Sequence, residues 1–441
     1  MMREHPLKHI VHLQKQGKAV GIYSACTANE LVLRACMQRA KETNSVLLIE
    51  ATANQVDQYG GYTGMKPKDF MQFVEKLAKL EDLPMDRIIL GGDHLGPLTF
   101  VQYDEEKAMQ EASELIRQFV LAGFTKIHID TSMKVASDDP NVRLSDEIIA
   151  RRGAELAVVA EKAYQQLLKD NPDALHPVYI VGSEVPIPGG SQEAVETGLQ
   201  VTKVSDFKQT VATFEKAFHE HQLDEAWKHV IGVVVQPGVE EKDAGCTPYD
   251  RSKAVDLMAS IKEYNNLVFE GHSTDYQTKI SLRELVEDGV GILKVGPGLT
   301  YMMREALFAL AYAEKELLKD HPEKQSHFIE VLDEAMLKNP KYYIKHYHGT
   351  PEEIAYKRKF SFSDRSRYYM PVDEVVAAQK VLFENFKDGV PLGLLSQFMP
   401  IAYTKVREGT LHNDPVSLVK DRVIYTVDEY MYGSHQEEIT F

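Results

Sequence analysis

Two short stretches place an imidazole beside acids. One is Gly91-Gly92-Asp93-His94-Leu95-Gly96-Pro97, and the other is Glu270-Gly271-His272-Ser273-Thr274-Asp275. Two imidazoles joined by carboxylate or amide oxygens suit a divalent transition ion such as Zn²⁺, Mn²⁺ or Co²⁺. On this reading His94 and His272 are metal ligands, and Glu184 and Gln236 are the candidate third and fourth. Asp93, Glu184 and Asp130 are the carboxylates placed to move protons or to orient a ligand. No His-Glu-x-x-His or Cys-x-x-Cys spacing supports the metal. The reading therefore needs a fold that gathers residues far apart in the chain.

The elements that would gather them recur along the sequence. Eight short apolar runs are rich in Val and Ile: Ala19–Cys26, Ser45–Thr52, Arg87–His94, Lys126–Ser132, Val178–Val185, Val230–Gln236, Leu267–Thr274 and Val290–Gly296. They are too short for solitary helices and β-branched enough for strands. Between them, Asp69–Leu80 and Glu105–Ala122 carry apolar residues at helical spacing. Strands alternating with such helices imply βαβ units and a parallel sheet. An open doubly wound sheet would show a glycine-rich turn after its first strand, whereas this chain has Ser24-Ala25-Cys26-Thr27. The expectation is an α/β fold, a (β/α)8 TIM barrel over 1–318, with a helix near Leu299–Leu318. A helical extension over 319–441 would dock on it, since no Pro/Ser/Gly-rich linker intervenes.

A barrel puts its working residues at the C-terminal ends of its strands. Here those ends are polar in seven of the runs. Glu50, Asn54 and Gln55 follow the second, and Ser273, Thr274, Asp275 and Lys294 close the seventh and eighth; all seven are candidate substrate-binding residues. Gly271, Gly296 and Gly298 sit in the corner where barrels often hold phosphate on backbone N–H groups, with Lys294 as a cation. Simple turn chemistry explains Gly296-Pro297-Gly298 equally well. Gly60–Gly64 and Pro186–Gly190 have the glycine pairs of closing loops, or of plain turns. Ser363-Asp364-Arg365-Ser366-Arg367-Tyr368-Tyr369 reads as a solvated helix start with Ser363 as N-cap, in preference to a contact with the barrel mouth or a partner. Cys26 reads as a buried small residue.

Composition removes whole classes of function. Lys+Arg number 50 and Asp+Glu 66, a net charge of −16, which argues against nucleic acid and anionic membrane partners. Hydrophobic residues at 44% and charged residues at 26% are ordinary for a globular protein. Three cysteines cannot build a disulfide framework and fit a reducing cytoplasm. No signal-peptide or membrane-spanning run is visible, so a cytoplasmic protein is expected, and a homo-oligomer with it.

Several long motifs resemble one family. They are Glu50-Ala51-Thr52-Ala53-Asn54-Gln55-Val56, Gly60-Gly61-Tyr62-Thr63-Gly64-Met65, the Gly91–Pro97 stretch, Gly271–Thr278 and Leu293–Pro297. In the tail, Ser363–Tyr369 and Pro391-Leu392-Gly393-Leu394-Leu395-Ser396-Gln397 join them. Together they are similar to the Z-type subunit, termed non-catalytic, of class II D-tagatose-1,6-bisphosphate aldolase, over essentially the whole chain. The resemblance implies a TIM barrel and a role in galactitol or N-acetylgalactosamine breakdown beside a catalytic aldolase subunit. Some relatives are described as metal-dependent ketose epimerases, including 4-epimerases of fructose and tagatose. Others carry a tagatose-6-phosphate kinase label, but this chain has no phosphate-binding Gly-x-x-x-x-Gly-Lys loop and no kinase signature. Against the three-histidine metal set of class II aldolases, Asp93-His94 matches the base-and-ligand pair and His272 a second ligand. Gln236 stands on the sixth strand where the third histidine is expected, and Glu184 would complete the set. Two readings follow: an accessory subunit with a retained metal site, or a ketose 4-epimerase acting on a free or phosphorylated ketose.

Overall fold

The computed structural model describes residues 4–183 and 199–439. Its centre is a closed barrel of eight parallel strands. These are β1 (Ile22–Ala25), β2 (Leu47–Thr52), β3 (Ile88–Leu95), β4 (Lys126–Ile129), β5 (Val178–Val181), β6 (Val230–Val235), β7 (Val268–Gly271) and β8 (Val290–Val295). Each pairs with its neighbour in sequence, and β8 closes on β1 with Ser24 opposite Lys294. All eight runs read from the sequence are strands, and the TIM barrel is the fold. Between β6 and β7 a small antiparallel hairpin pairs Glu240–Lys242 with Gly245–Thr247.

Period-two alternation sorts the strand residues into two sets. Outward-facing Tyr23, Ile49, Leu90, Ile127, Tyr179, Val233, Phe269 and Leu293 pack under the helices. The inward set changes character with height. At the N-terminal end Ile22, Leu48, Ile89, Val178, Val268 and Ile292 form an apolar plug. Helix α1 (Pro6–Lys15) seals that end with Leu7, Ile10, Val11 and Leu13. One layer higher the inward residues are Ser24, Glu50, Lys126, Glu270 and Lys294, all buried. Above that layer lies the mouth.

The ring of helices is completed from an unexpected part of the chain. Helices α2 (Glu30–Glu42), α3 (Pro67–Glu81), α4 (Glu105–Leu121), α5 (Asp146–Asp170), α6 (Val204–Glu220), α7 (Asp224–Trp227), α8 (Arg251–Ser260) and α9 (Lys279–Glu287) come from the connections between strands. Helix α10 (Pro297–Leu317) follows β8, but it packs on tail helices more than on the sheet. The tail then runs through α11 (Phe328–Lys338), α12 (Pro351–Phe360), α13 (Asp373–Asn385), α14 (Leu392–Phe398), α15 (Pro400–Glu408) and α16 (Pro415–Ser434). Helix α16 lies against β1, α2, α9 and α10. Leu418, Val419, Val423 and Val427 on it are fully buried. Arg39 pairs with Asp428 at 2.6 Å, and the Tyr430 hydroxyl donates to the Thr274 carbonyl at 2.8 Å. Just beyond α16, the Gln436 side chain accepts from the Tyr23 N–H at 3.1 Å and donates to the Val46 carbonyl at 2.8 Å. Among the described residues no helix is long and apolar enough to cross a membrane.

Two outcomes follow from this construction. A chain ending at residue 318 would leave the faces of β1, α2 and α9 that α16 covers bare, so it should be insoluble or lack cooperative unfolding. A monodisperse 1–318 fragment with a sharp thermal transition would refute this. The second concerns acid. His5 caps α1 by accepting the Leu7 N–H at Nδ1, 3.1 Å away. Burial, helped by Lys8 and His229, pushes its imidazole down to about 3. The unfolded chain therefore takes up a proton below about pH 6.5 that the native state refuses. The stability this site confers is complete above that pH and is lost as pH falls toward 3. Urea midpoints measured from pH 7 to pH 4 should fall more steeply for the wild type than for His5→Asn, and parallel curves would count against the assignment.

Candidate metal and ligand site at the barrel mouth

Consecutive residues on a regular strand point to opposite faces, yet Asp93 and His94 both reach the mouth. The pairing of β3 with β4 slips between Gly92 and Leu95, and His94 takes the left-handed conformation at φ 50°. This bulge re-aims one side chain next to the site. Gly91 is required just below it, because a Cβ there would lie 2.6 Å from the Cγ of Glu50.

Under the mouth sits a fully buried ionic layer. Lys126 Nζ contacts Glu50 at 2.8 Å and Glu270 at 2.6 Å. Lys294 Nζ contacts Glu50 and Asp93, both at 2.8 Å. Ser24 donates its hydroxyl to Glu50 at 2.7 Å. Burial alone would push the Asp93 and Glu270 carboxyls up, but the lysines and imidazoles around them hold both well below the usual range. The same pairing outweighs burial at Lys294 and raises its ammonium further, chiefly through Asp93.

Above the ions, three imidazoles form a triangle. Ring centres of His94 and His128 are 5.0 Å apart, those of His94 and His272 also 5.0 Å, and those of His128 and His272 5.2 Å. Each has a ring nitrogen held by an oxygen behind it, and the Nδ1 of His128 also meets Asp93 at 2.9 Å. His94 Nδ1 meets Asp130 at 2.7 Å, His128 Nε2 donates to the Gly182 carbonyl at 3.0 Å, and His272 Nε2 meets Glu270 at 2.9 Å. Backing of this kind fixes which nitrogen a histidine turns toward a metal. Ligand atoms of Asp93, His128, Glu270 and His272 all lie within 4.8 Å of one another, as do those of His94, His128 and Asp130. Imidazole nitrogens with carboxylate oxygens fit a divalent transition ion. Burial disfavours charge on His94, but Asp93 and Asp130 raise it to about 9, whereas at His272 burial prevails and the imidazole falls to about 4.

The triangle opens into a cavity of about 300 Å³. Its walls include Asn54, Gln55, Asp93, His94, His272, Ser273, Asp275 and Lys294 from the barrel. Tyr62 comes from the loop after β2, Glu241 from the hairpin, and Arg367 and Tyr368 from the tail. Tyr368 stacks on Tyr342 at 4.8 Å and meets Tyr62 edge-on at 4.8 Å. The Ser363–Tyr369 motif is therefore part of the mouth, and Asp364, not Ser363, occupies the N-cap position of its helical turn (Arg365–Tyr368). The expected solvated helix start gives way because Asp364 and Ser366 are buried, Asp364 accepting from Thr300 and Ser366.

Several candidates occupy other positions than expected. Gln236 is not in the cluster: its side-chain oxygen accepts from the Gly238 and Val239 N–H groups at 2.7 and 2.9 Å and holds the turn after β6. The third imidazole is His128, from the fourth strand. In Lys126-Ile127-His128-Ile129-Asp130, charge alternates with isoleucine, and that period turns Lys126 and His128 inward. Glu50 lies beneath the cavity in the ionic layer, where its unanticipated partner is Lys126, which also holds Glu270. Thr274 donates to the Lys294 carbonyl at 2.6 Å and ties two loops together. Asp130 orients His94 and accepts from Ser132. The loop over Gly60–Gly64 is pinned, Thr63 donating to the Gln55 carbonyl at 2.7 Å. Glu184 and the Pro186–Gly190 loop lie outside the described residues.

A parallel barrel with imidazoles, carboxylates and a lysine gathered at the C-terminal strand ends is the architecture of barrel proteins that handle a small ligand there. The chain belongs to the D-tagatose-1,6-bisphosphate aldolase subunit GatZ/KbaZ-like family, whose profile matches residues 7–435. It is thus a carbohydrate protein related to tagatose-bisphosphate aldolase. A crystal structure of a probable tagatose 6 phosphate kinase from Sinorhizobium meliloti 1021 is 40% identical to it, covering 94% of this chain and 100% of that one, with a TM-score of 0.84. More distant is the YdjI aldolase from Escherichia coli K12, at 10% identity and TM-score 0.39 over 84% of this chain and 94% of that one. Fructose-bisphosphate aldolase from Campylobacter jejuni aligns at 15% identity and TM-score 0.38, over 86% and 93% respectively.

The ionic layer makes its own demand on stability. Lys126→Met removes one cation and leaves Glu50 and Glu270 facing each other without it, which should cost about 3–5 kcal/mol. Guanidinium unfolding measures this directly. A loss no larger than the ~1 kcal/mol of an exposed pair would show that the layer is not electrostatically coupled.

Proposed function

We propose that this chain is a divalent-metal-dependent ketose enzyme with its reaction centre at the three imidazoles, and that its chemistry is of the 4-epimerase type. The supporting observation is the convergence of His94, His128 and His272, each backed by an oxygen, beside an ionised carboxylate and a lysine. His94, His128 and His272 would hold the ion, with Glu184 a further candidate. Bound there, the ion supplies Lewis-acid polarisation of the ketose oxygens.

The chain's own groups do the rest. Asp93 Oδ1 is committed to His128 Nδ1 at 2.9 Å and to Lys294 at 2.8 Å. That leaves Oδ2 to take a proton from a sugar hydroxyl and to return it. Lys294 keeps Asp93 ionised for this task. Asn54, Gln55 and Ser273 line the cavity and orient hydroxyls, and Tyr62 with Tyr368 screens the mouth from water. With these parts the C3–C4 bond can break as Asp93 takes the proton of the C4 hydroxyl, leaving an aldehyde at C4 and an enediolate at C3, and it can re-form on the other face of that aldehyde with the proton returned.

The family's description as an aldolase subunit favours a second reading, in which the chain supports a separate catalytic subunit. Co-purification with such a subunit, and no turnover of fructose, tagatose or their phosphates by the lone metal-loaded protein, would decide for it. The metal assignment is tested separately by elemental analysis. His94→Ala, His128→Ala and His272→Ala should each lose the bound ion, while Gln236→Ala should keep it. Undiminished metal content in His128→Ala would sink the three-imidazole site.

A further inference from the structure

The corner after β7 and β8 is where barrels commonly receive a substrate phosphate on backbone N–H groups at a helix N-terminus. In this chain both parts of that receptor are already engaged. The N–H groups of Gly296 and Gly298, at the start of the long helix α10, both donate to Asp275 Oδ1, at 3.0 and 2.6 Å. Asp275 is buried, and a Cβ on Gly298 would lie 3.0 Å from that same oxygen, so the carboxylate fills the nest closely. Two cations lie nearby: Lys294 is bound to Glu50 and Asp93, and the Arg367 guanidinium donates to the Ser363 and Asp364 carbonyls. A second carboxyl, Glu241, lines the same cavity, and its Oε2 is buried with no hydrogen-bond partner.

We infer that Asp275 is an internal substitute for phosphate and the specificity-determining residue of the site. The sugar end lodged in this corner is a neutral, hydroxyl-bearing one. A phosphate dianion there would have to displace a buried carboxylate from two N–H donors and would face Glu241 beside it. A polyol end meets what it needs, since carboxyl oxygens accept from hydroxyls and the Ser273 side chain lies alongside. The inference rests on the ketose reading above and narrows it: the substrate is a ketose with at most one phosphate, carried at the end remote from α10, and not a bisphosphate.

Calorimetric titration of the full chain with inorganic phosphate, free fructose, fructose 6-phosphate and fructose 1,6-bisphosphate tests this. The wild type should bind the monophosphate at least tenfold more tightly than the bisphosphate. Asp275→Ala, which empties the nest, should gain at least tenfold in affinity for inorganic phosphate, whereas Asp275→Asn, which keeps an acceptor oxygen on both N–H groups, should gain less. Equal or tighter bisphosphate binding by the wild type, or no phosphate gain in a folded Asp275→Ala, would overturn the inference. If Asp275→Ala does not fold, the wild-type ratio and a crystal soaked in inorganic phosphate decide, with phosphate on the Gly296 and Gly298 N–H groups overturning it. Failure of the wild type to bind free fructose as well as both phosphorylated sugars would remove the ketose reading instead, and the inorganic phosphate arm would still judge Asp275.

Discussion

The organisation of the site depends on one constraint: two lysines and three carboxylates stacked inside a barrel at a height where barrels normally carry branched aliphatic residues. Lys126 and Lys294 are tied to Glu50, Glu270 and Asp93 by contacts of 2.6 to 2.8 Å. Burying any one of these charges alone would cost several kcal/mol. Together they fix one another, and the strands that carry them are fixed in turn. Glu50 spans to both lysines, so β2, β4 and β8 are held in one register at the level of the mouth. An apolar layer of the same volume would be at least as stable, which points to a role beyond stability.

That role is to position the chemistry one layer up. Asp93 is held ionised because Lys294 is beneath it, and His272 is oriented because Glu270 is. The bulge in β3 adds a third constraint. It brings two consecutive side chains, Asp93 and His94, to one rim, which a regular strand cannot do. The cost is a left-handed histidine backbone, and Asp130 offsets it by gripping the imidazole at 2.7 Å.

Much of this was legible in the sequence because it follows local periodicity. Eight Val- and Ile-rich runs give eight strands, and helical spacing over Asp69–Leu80 and Glu105–Ala122 gives α3 and α4. The polar strand ends do meet at one rim. What escaped is long-range. Nothing in Gln236 says that its oxygen would be captured by the Gly238 and Val239 N–H groups two and three residues on, leaving the fourth strand to supply the imidazole. The alternation through Lys126, His128 and Asp130 was the available clue. Arg367 and Tyr368 reach the mouth only because the tail folds back over the barrel, with α16 lying against β1. No local pattern encodes that return.

The charge of the site also bears on what it can hold. Counting the buried layer alone, three carboxylates face two ammonium groups, an excess of one negative charge, while above it Asp130 is matched by the His94 imidazolium. Such an excess, walled off from water, attracts a cation strongly and repels an anion. The imidazole triangle lies directly over it, so a divalent ion there gains from the layer beneath as well as from its ligands. A few residues away, the same polarity meets Asp275 on the helix N-terminus, where a phosphate would otherwise be welcome. The metal proposed at one point and the phosphate exclusion inferred at the other would thus draw on a single distribution of charge.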